Sequence, residues 1–120
     1  MDISKVESII DLYNKLGFEI GGSETMVFID SKSIEGSLSL KNVELVPAEK
    51  RKQVQAEMYS ALLNLYLKKG IKVFGFGGID DYNAWTNDVG WDTEPLLFDK
   101  DFHAKQSYYA IVQTLYQQLP

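Results

Sequence analysis

Two short runs of β-forming residues, each entered from a helix that stops at a glycine, constrain this chain more than any other feature. From Ser4 to Leu16 the apolar residues Val6, Ile9, Ile10, Tyr13 and Leu16 recur at helical spacing, with Asp2 or Ser4 as cap and Gly17 as stop. Phe18-Glu19-Ile20 opens a strand-like stretch that runs to Ile29. The polar segment from Asp30 to Val46 reads as a long loop, and Pro47 marks the next helix. That helix carries the stripe Val54, Met58, Ala61, Leu62 and Leu65 and ends at Lys68-Lys69-Gly70. Ile71 to Phe76 is a second strand, and Gly77 to Glu94 a polar, aromatic loop. Tyr108, Ile111, Val112, Leu115 and Leu119 form the stripe of a last helix. This order implies parallel strands joined by a right-handed crossover, with function in the loops at the strands' C-terminal ends. Two parallel strands cannot satisfy their outer edges alone, so the chain reads as one folding unit of an incomplete α/β sheet.

Composition removes several classes. A net charge of −5 argues against a nucleic-acid partner, and the basic run Lys50-Arg51-Lys52 reads as a solvated helix start. No apolar run approaches the roughly 18 to 20 residues that span a bilayer, so no membrane partner is expected. With no cysteine, disulfides and thiolate metal sites drop out. Met1-Asp2-Ile3-Ser4-Lys5 lacks the parts of a secretion signal, so location is open and an extracellular parent would need a signal upstream.

The loop and its flanks carry the most specific pattern. Ile71-Lys72-Val73-Phe74-Gly75-Phe76-Gly77-Gly78-Ile79-Asp80-Asp81-Tyr82-Asn83-Ala84-Trp85 resembles V-K-x-V-T-F-W-G-L-[ST]-D-x-x-S-W, the eighth strand and following loop of family 10 glycoside hydrolases. Pro95-Leu96-Leu97-Phe98-Asp99, then Phe102, Lys105 and Tyr108-Tyr109-Ala110-Ile111, is similar to that family's P-L-L-F-D-x-x-[YF]-x-x-K-P-A-Y-x-A-I. Spacing within each block is kept without a gap. Leu16 to Val27 lies over the seventh-strand pattern L-G-[LV]-x-[IV]-x-[IV]-T-E-[LM]-D-[IV], with departures at Gly22, Ser23, Thr25 and Met26.

The resemblance implies an α/β fold that is part of a TIM (β/α)8 barrel, comprising the last two strands and their helices. In it residues 1–17 are a helix, 18–29 the seventh-strand region, 47–69 a helix, 71–76 the eighth strand and 105–119 the last helix. It implies a retaining endo-1,4-β-xylanase-like hydrolase acting on xylan or a related β-linked polysaccharide or oligosaccharide. Glu24 falls on the catalytic nucleophile and Trp85 on a tryptophan that walls the sugar pocket. An aromatic face suits a sugar because the ring's C–H groups pack on the π surface. Tyr82 and Trp91 share that loop as further substrate-binding candidates.

Such an enzyme needs two carboxyl groups. The family's acid/base sits in an N-E-P-like context that this chain lacks, and Asp81, Asp92 and Glu94 read as loop or capping carboxylates. The isolated chain is therefore expected to be inactive, with the missing N-terminal barrel portion, or self-association, as its partner. No cofactor or metal is expected. Gly75, Gly77 and Gly78 lack the Lys-Ser/Thr of a phosphate loop, Asp80-Asp81 reads as a solvated pair, and His103 lacks a metal or triad partner and begins the last helix. Gly77 stands where the pattern has tryptophan and Gly75 where it has threonine, which either widens the innermost subsite or marks a site that no longer works. A noncatalytic or degenerate carbohydrate-binding module is the alternative reading.

Overall fold

The computed structural model describes residues 2–28, 47–91 and 93–120. The expected loop from Asp30 to Val46 and the candidate carboxylate Asp92 lie outside them. Five elements follow one another: α1 (Ile3–Lys15), β1 (Gly22–Thr25), α2 (Arg51–Lys68), β2 (Phe74–Phe76) and α3 (Gln106–Tyr116), with 3-10 turns at Ala48–Lys50 and Trp85–Asn87. None of the described helices is long and apolar enough to cross a membrane.

Local chemistry sets the ends of α1. Asp2 Oδ1 accepts from the backbone N–H of Ser4 at 3.0 Å and of Lys5 at 3.4 Å. At the other end Gly17 takes φ +87°, a conformation that costs glycine little. Only Ile10 of the α1 stripe is buried, while Ile9, Tyr13 and Leu16 stay exposed. Glu7 and Asp11 instead tie the helix to Lys69 at the end of α2, at 2.9 and 2.6 Å.

β1 and β2 pair in parallel, Gly22 opposite Phe74 and Thr25 opposite Phe76. Three steps along β1 thus match two along β2, a bulge that places one extra residue in β1. Strand pairing is much shorter than the 18–29 expectation because β2 offers only three residues, and beyond it Val27 N–H donates to Pro95 O at 3.3 Å. The core joins Val27, Tyr59, Leu63, Leu97 and Ile111, with Phe74 and Phe76 packed against it.

Two helix faces differ from their sequence stripes. In α2 the buried residues are Gln55, Tyr59, Leu63 and Leu65, so a glutamine sits where the stripe had valine. The reason is a pair of carbonyls: Gln55 Nε2 donates to Val27 O at 3.0 Å and Glu94 O at 2.8 Å. In α3 the buried face is Ser107, Ile111 and Thr114, leaving Val112, Leu115 and Leu119 exposed. The α2–α3 seam is partly polar, with Ser60 Oγ 3.0 Å from Thr114 Oγ1.

One polar group is sealed deeper than the sequence suggested. Asp80 and Asp81 are not a solvated pair; Asp81 is 1 % exposed. Its Oδ2 lies 2.7 Å from Lys105 Nζ, and its Oδ1 accepts from Leu96 N–H at 2.8 Å. Lys105 Nζ also donates to Glu94 O at 2.7 Å. Tyr59 Oη donates to Pro95 O at 2.5 Å and Ser107 Oγ to Leu96 O at 3.3 Å. Both helices and the loop thereby hold one strap, residues 94–97. Burial pushes the Tyr59 phenol above its ordinary pKa, consistent with a neutral donor.

Lys105→Met leaves the Asp81 carboxylate buried without its cation, and urea denaturation should show a loss of about 3–5 kcal/mol. A loss under about 1 kcal/mol would mean the pair is not the strap's main anchor.

Candidate active site

The bulge decides which side chains of β1 face the helices. A Cβ on Gly22 would meet Tyr66 of α2 at 2.8 Å, and Val27 lies in the core. Glu24 and Met26 take the opposite face, where a Cβ on Gly77 would meet Glu24 Cβ at 3.7 Å and Met26 Sδ at 2.6 Å. Glu24 is exposed there, one residue from the C-terminal end of β1.

The bulge also accounts for Gly75. A Cβ at that position would lie 2.5 Å from Ser23 O, a backbone atom that cannot swing aside. Glycine is what lets the two strands approach here.

The loop after β2 is braced by its own polar side chains. Asp80 Oδ1 accepts from Asn83 N–H at 2.9 Å, and Asn87 Nδ2 donates to Asp81 O and Tyr82 O, each at 2.9 Å. Buried Ala84 and Thr86 flank Trp85 and pin its 3-10 turn, while the Trp85 indole is 45 % exposed. Trp85 Nε1 donates to Met26 Sδ at 3.1 Å. Trp91 joins this group, its ring 5.7 Å from Trp85 and 6.5 Å from Phe28.

Three of the residues singled out in the sequence thus belong to one neighbourhood: Glu24 beside Gly77, Trp85 linked to Glu24's strand through Met26, and Trp91 against Trp85. Tyr82 is exposed and makes its ring contact with Phe102, at 6.0 Å. Among the candidate substitute carboxylates, Asp81 is sealed against Lys105, and Glu94 is exposed at φ +39° with its backbone carbonyl engaged by Gln55 and Lys105. Met26 is the participant that sequence reading missed. The available signal was that it and Gly77 both depart from the pattern.

The sequence profile described as glycosyl hydrolase family 10 matches residues 1–114. The chain belongs to glycosyl hydrolase family 10. Comparison with curated proteins gives no match. Among solved structures, the endo-1,4-beta-xylanase of Caldicellulosiruptor owensensis is 28 % identical, with a TM-score of 0.70 over 92 % of this chain and 33 % of that one. Xylanase 10B of Thermotoga petrophila RKU-1, in complex with xylobiose, is 21 % identical, with a TM-score of 0.75 over 98 % of this chain and 33 % of that one. Xylanase10C (mutant E385A) of Cellvibrio japonicus, in complex with xylopentaose, is 18 % identical, with a TM-score of 0.76 over 99 % of this chain and 25 % of that one. The chain spans about a third of the length of the family 10 structures it matches.

The family 10 pattern has a structural meaning in this chain, since Asp81 and Lys105, one from each sequence block, are the partners of the buried ion pair. Asp99, of the second block, organises the turn before α3. Its Oδ1 accepts from the backbone N–H of Asp101 at 2.9 Å and His103 at 2.8 Å, and these bonds hold its carboxyl below the ordinary carboxylate range. His103 precedes α3 instead of starting it, and it does have acidic neighbours. Ligand-type atoms of Asp99, Asp101 and His103 lie within 4.8 Å of one another because the turn folds back on itself.

A depressed folded-state pKa means Asp99's stabilisation is complete above its ordinary value of 3.8 and fades as pH falls through the lower folded value. Amide exchange at Asp101 and His103, corrected for intrinsic rates, should hold steady from about pH 7 to about pH 5 and quicken below that range. Asp99→Asn should flatten that dependence. Gly75→Thr should destabilise the chain by about 1–3 kcal/mol in thermal unfolding, because the strands must part to admit the side chain.

Proposed function

We propose that this chain is the C-terminal part of a retaining endo-1,4-β-xylanase-type glycoside hydrolase acting on xylan or a related β-linked polysaccharide. Glu24 serves as nucleophile, and Trp85, Trp91 and Tyr82 contact sugar. The observation that carries the reading is the face shared by Glu24, Met26 and Gly77 at the strands' C-terminal end, with the exposed Trp85 indole bonded to it. On this reading β1 and β2 are the seventh and eighth strands of a TIM barrel.

In such a site one carboxylate attacks the anomeric carbon while a second carboxyl, roughly 5 to 5.5 Å away, protonates the leaving oxygen and later deprotonates water. Glu24 fills the first role. Asp81 is committed to Lys105 and Leu96, and Asp80 to Asn83, so neither supplies the proton. The acid/base belongs to the N-terminal barrel portion, and the isolated chain is inactive. The exposed apolar residues Ile9 and Leu12 of α1, Leu16 at its C-cap, and Val112 and Leu115 of α3 fit surfaces that such a portion would cover. The family 10 structures described as complexes with xylobiose and xylopentaose support a β-linked xylo-oligosaccharide as ligand.

A second reading, a noncatalytic or degenerate carbohydrate-binding module, is favoured by one observation. Met26 and Gly77 occupy positions where the family pattern has aspartate and tryptophan.

Mixing the chain with a matching N-terminal barrel portion decides between them. The first reading expects no aryl-xyloside hydrolysis by the chain alone, activity in the mixture, and a loss on the order of 10⁴-fold with Glu24→Ala. Activity that survives Glu24→Ala overturns the nucleophile assignment. Calorimetric binding of xylo-oligosaccharide that is lost in Trp85→Ala, with no activity in any mixture, selects the second reading.

A further inference from the structure

We propose that Met26 is a positioning residue for this site, holding the Trp85 indole against β1, and that Met26 and Gly77 work as one exchanged pair. The role assigned to Trp85 rests on the sugar-binding reading above; the Met26–Trp85 contact does not.

A Cβ on Gly77 would lie 2.6 Å from Met26 Sδ and 2.7 Å from Met26 Cγ. The thioether therefore occupies the space that any side chain at position 77 would enter. The family pattern places a large side chain at 77 and a short carboxylate at 26; here position 77, just after β2, has no side chain, and a long flexible one from position 26, just after β1, occupies the space beside it. Loss of the indole at 77 does not leave an open hole at that point.

The same sulfur makes a directional contact. Trp85 Nε1–H donates to it at 3.1 Å, joining the loop after β2 to β1 across 59 residues of sequence. Apart from that bond, the Trp85 ring's aromatic neighbour is Trp91 at 5.7 Å. Trp85 is 45 % exposed, so one side of the ring is open to solvent and a polar tether on the covered side helps fix the ring plane. Methionine suits both tasks, since an unbranched thioether fills an irregular gap and its sulfur is a weak acceptor that sits well against aromatic rings. The consequence for a ligand is a floor between Glu24 and Trp85 that is apolar and polarizable instead of anionic. Such a floor fits the C–H face of a pyranose better than its hydroxyl edge.

The fluorescence test uses the 120-residue chain with Trp91→Phe as background, which leaves Trp85 as the one remaining indole of the two in the sequence. The titration keeps Trp91 and uses the chain alone and mixed with a matching N-terminal barrel portion. Met26→Leu keeps the volume and removes the acceptor, whereas Met26→Gln restores an acceptor of similar reach. Iodide quenching and emission of Trp85 read the tether directly, and calorimetric titration with xylotriose reads its effect on the ligand. Met26→Leu should raise quenching, shift emission to the red and weaken xylotriose roughly three- to tenfold, the loss of one modest hydrogen bond. Met26→Gln should recover most of each change. Gly77→Ala should loosen the indole by displacing the thioether, and the effect should shrink when combined with Met26→Ala. Unchanged quenching and affinity in Met26→Leu, with helical circular dichroism intact, overturns the proposal while leaving the sugar reading standing. A loosened indole in Met26→Leu, where the chain mixed with a matching N-terminal barrel portion binds no xylotriose even at roughly millimolar ligand, upholds the tether and overturns the sugar reading.

Discussion

An ion pair closed off from solvent holds this small fold in register. Lys105, at the entrance to α3, and Asp81, in the loop after β2, are separated by 24 residues, and each would be costly to bury alone. Together they also saturate a backbone donor at Leu96 and a backbone acceptor at Glu94. The strap between these two residues is then reached by Gln55 and Tyr59 from α2 and by Ser107 from α3. Polar side chains converge on backbone groups of a segment that has no regular structure of its own. Without them those groups would be buried and unsatisfied.

The same strap fixes the candidate site at one remove. The 3-10 turn that presents Trp85 lies between Asp81 and residues 94–97, so both ends of the loop are tied to one buried anchor. At the tip, the Trp85 indole is tethered to Met26 and packs against Trp91.

Much of this was legible in the sequence because helices stop at glycines and β-formers cluster. Gly17 and Gly70 do end helices at positive φ, and the parallel pairing of β1 with β2 follows from the helix between them. The two family-like blocks contain both partners of the ion pair, Asp81 in the first and Lys105 in the second. Helix faces were less legible, since Gln55, Ser107 and Thr114 are buried by hydrogen bonds that periodicity cannot see. Asp81 looked like a solvated carboxylate because its cation lies far away in sequence. Met26 carried no signal by itself, and its contact with Gly77 appears only when the two strands are side by side.

The bulge in β1 acts as a parity switch. Alternation from Gly22 without the extra residue would send Glu24 and Met26 towards Tyr66 and the apolar core, and would turn Val27 outwards. A carboxylate would then be driven into the layer beneath the helices, and the aromatic loop would lose its footing on the sheet. The number of residues in this strand thus sets which face each side chain takes. A single insertion or deletion between Gly22 and Thr25 would exchange the inside of the molecule for the exposed face that carries Glu24.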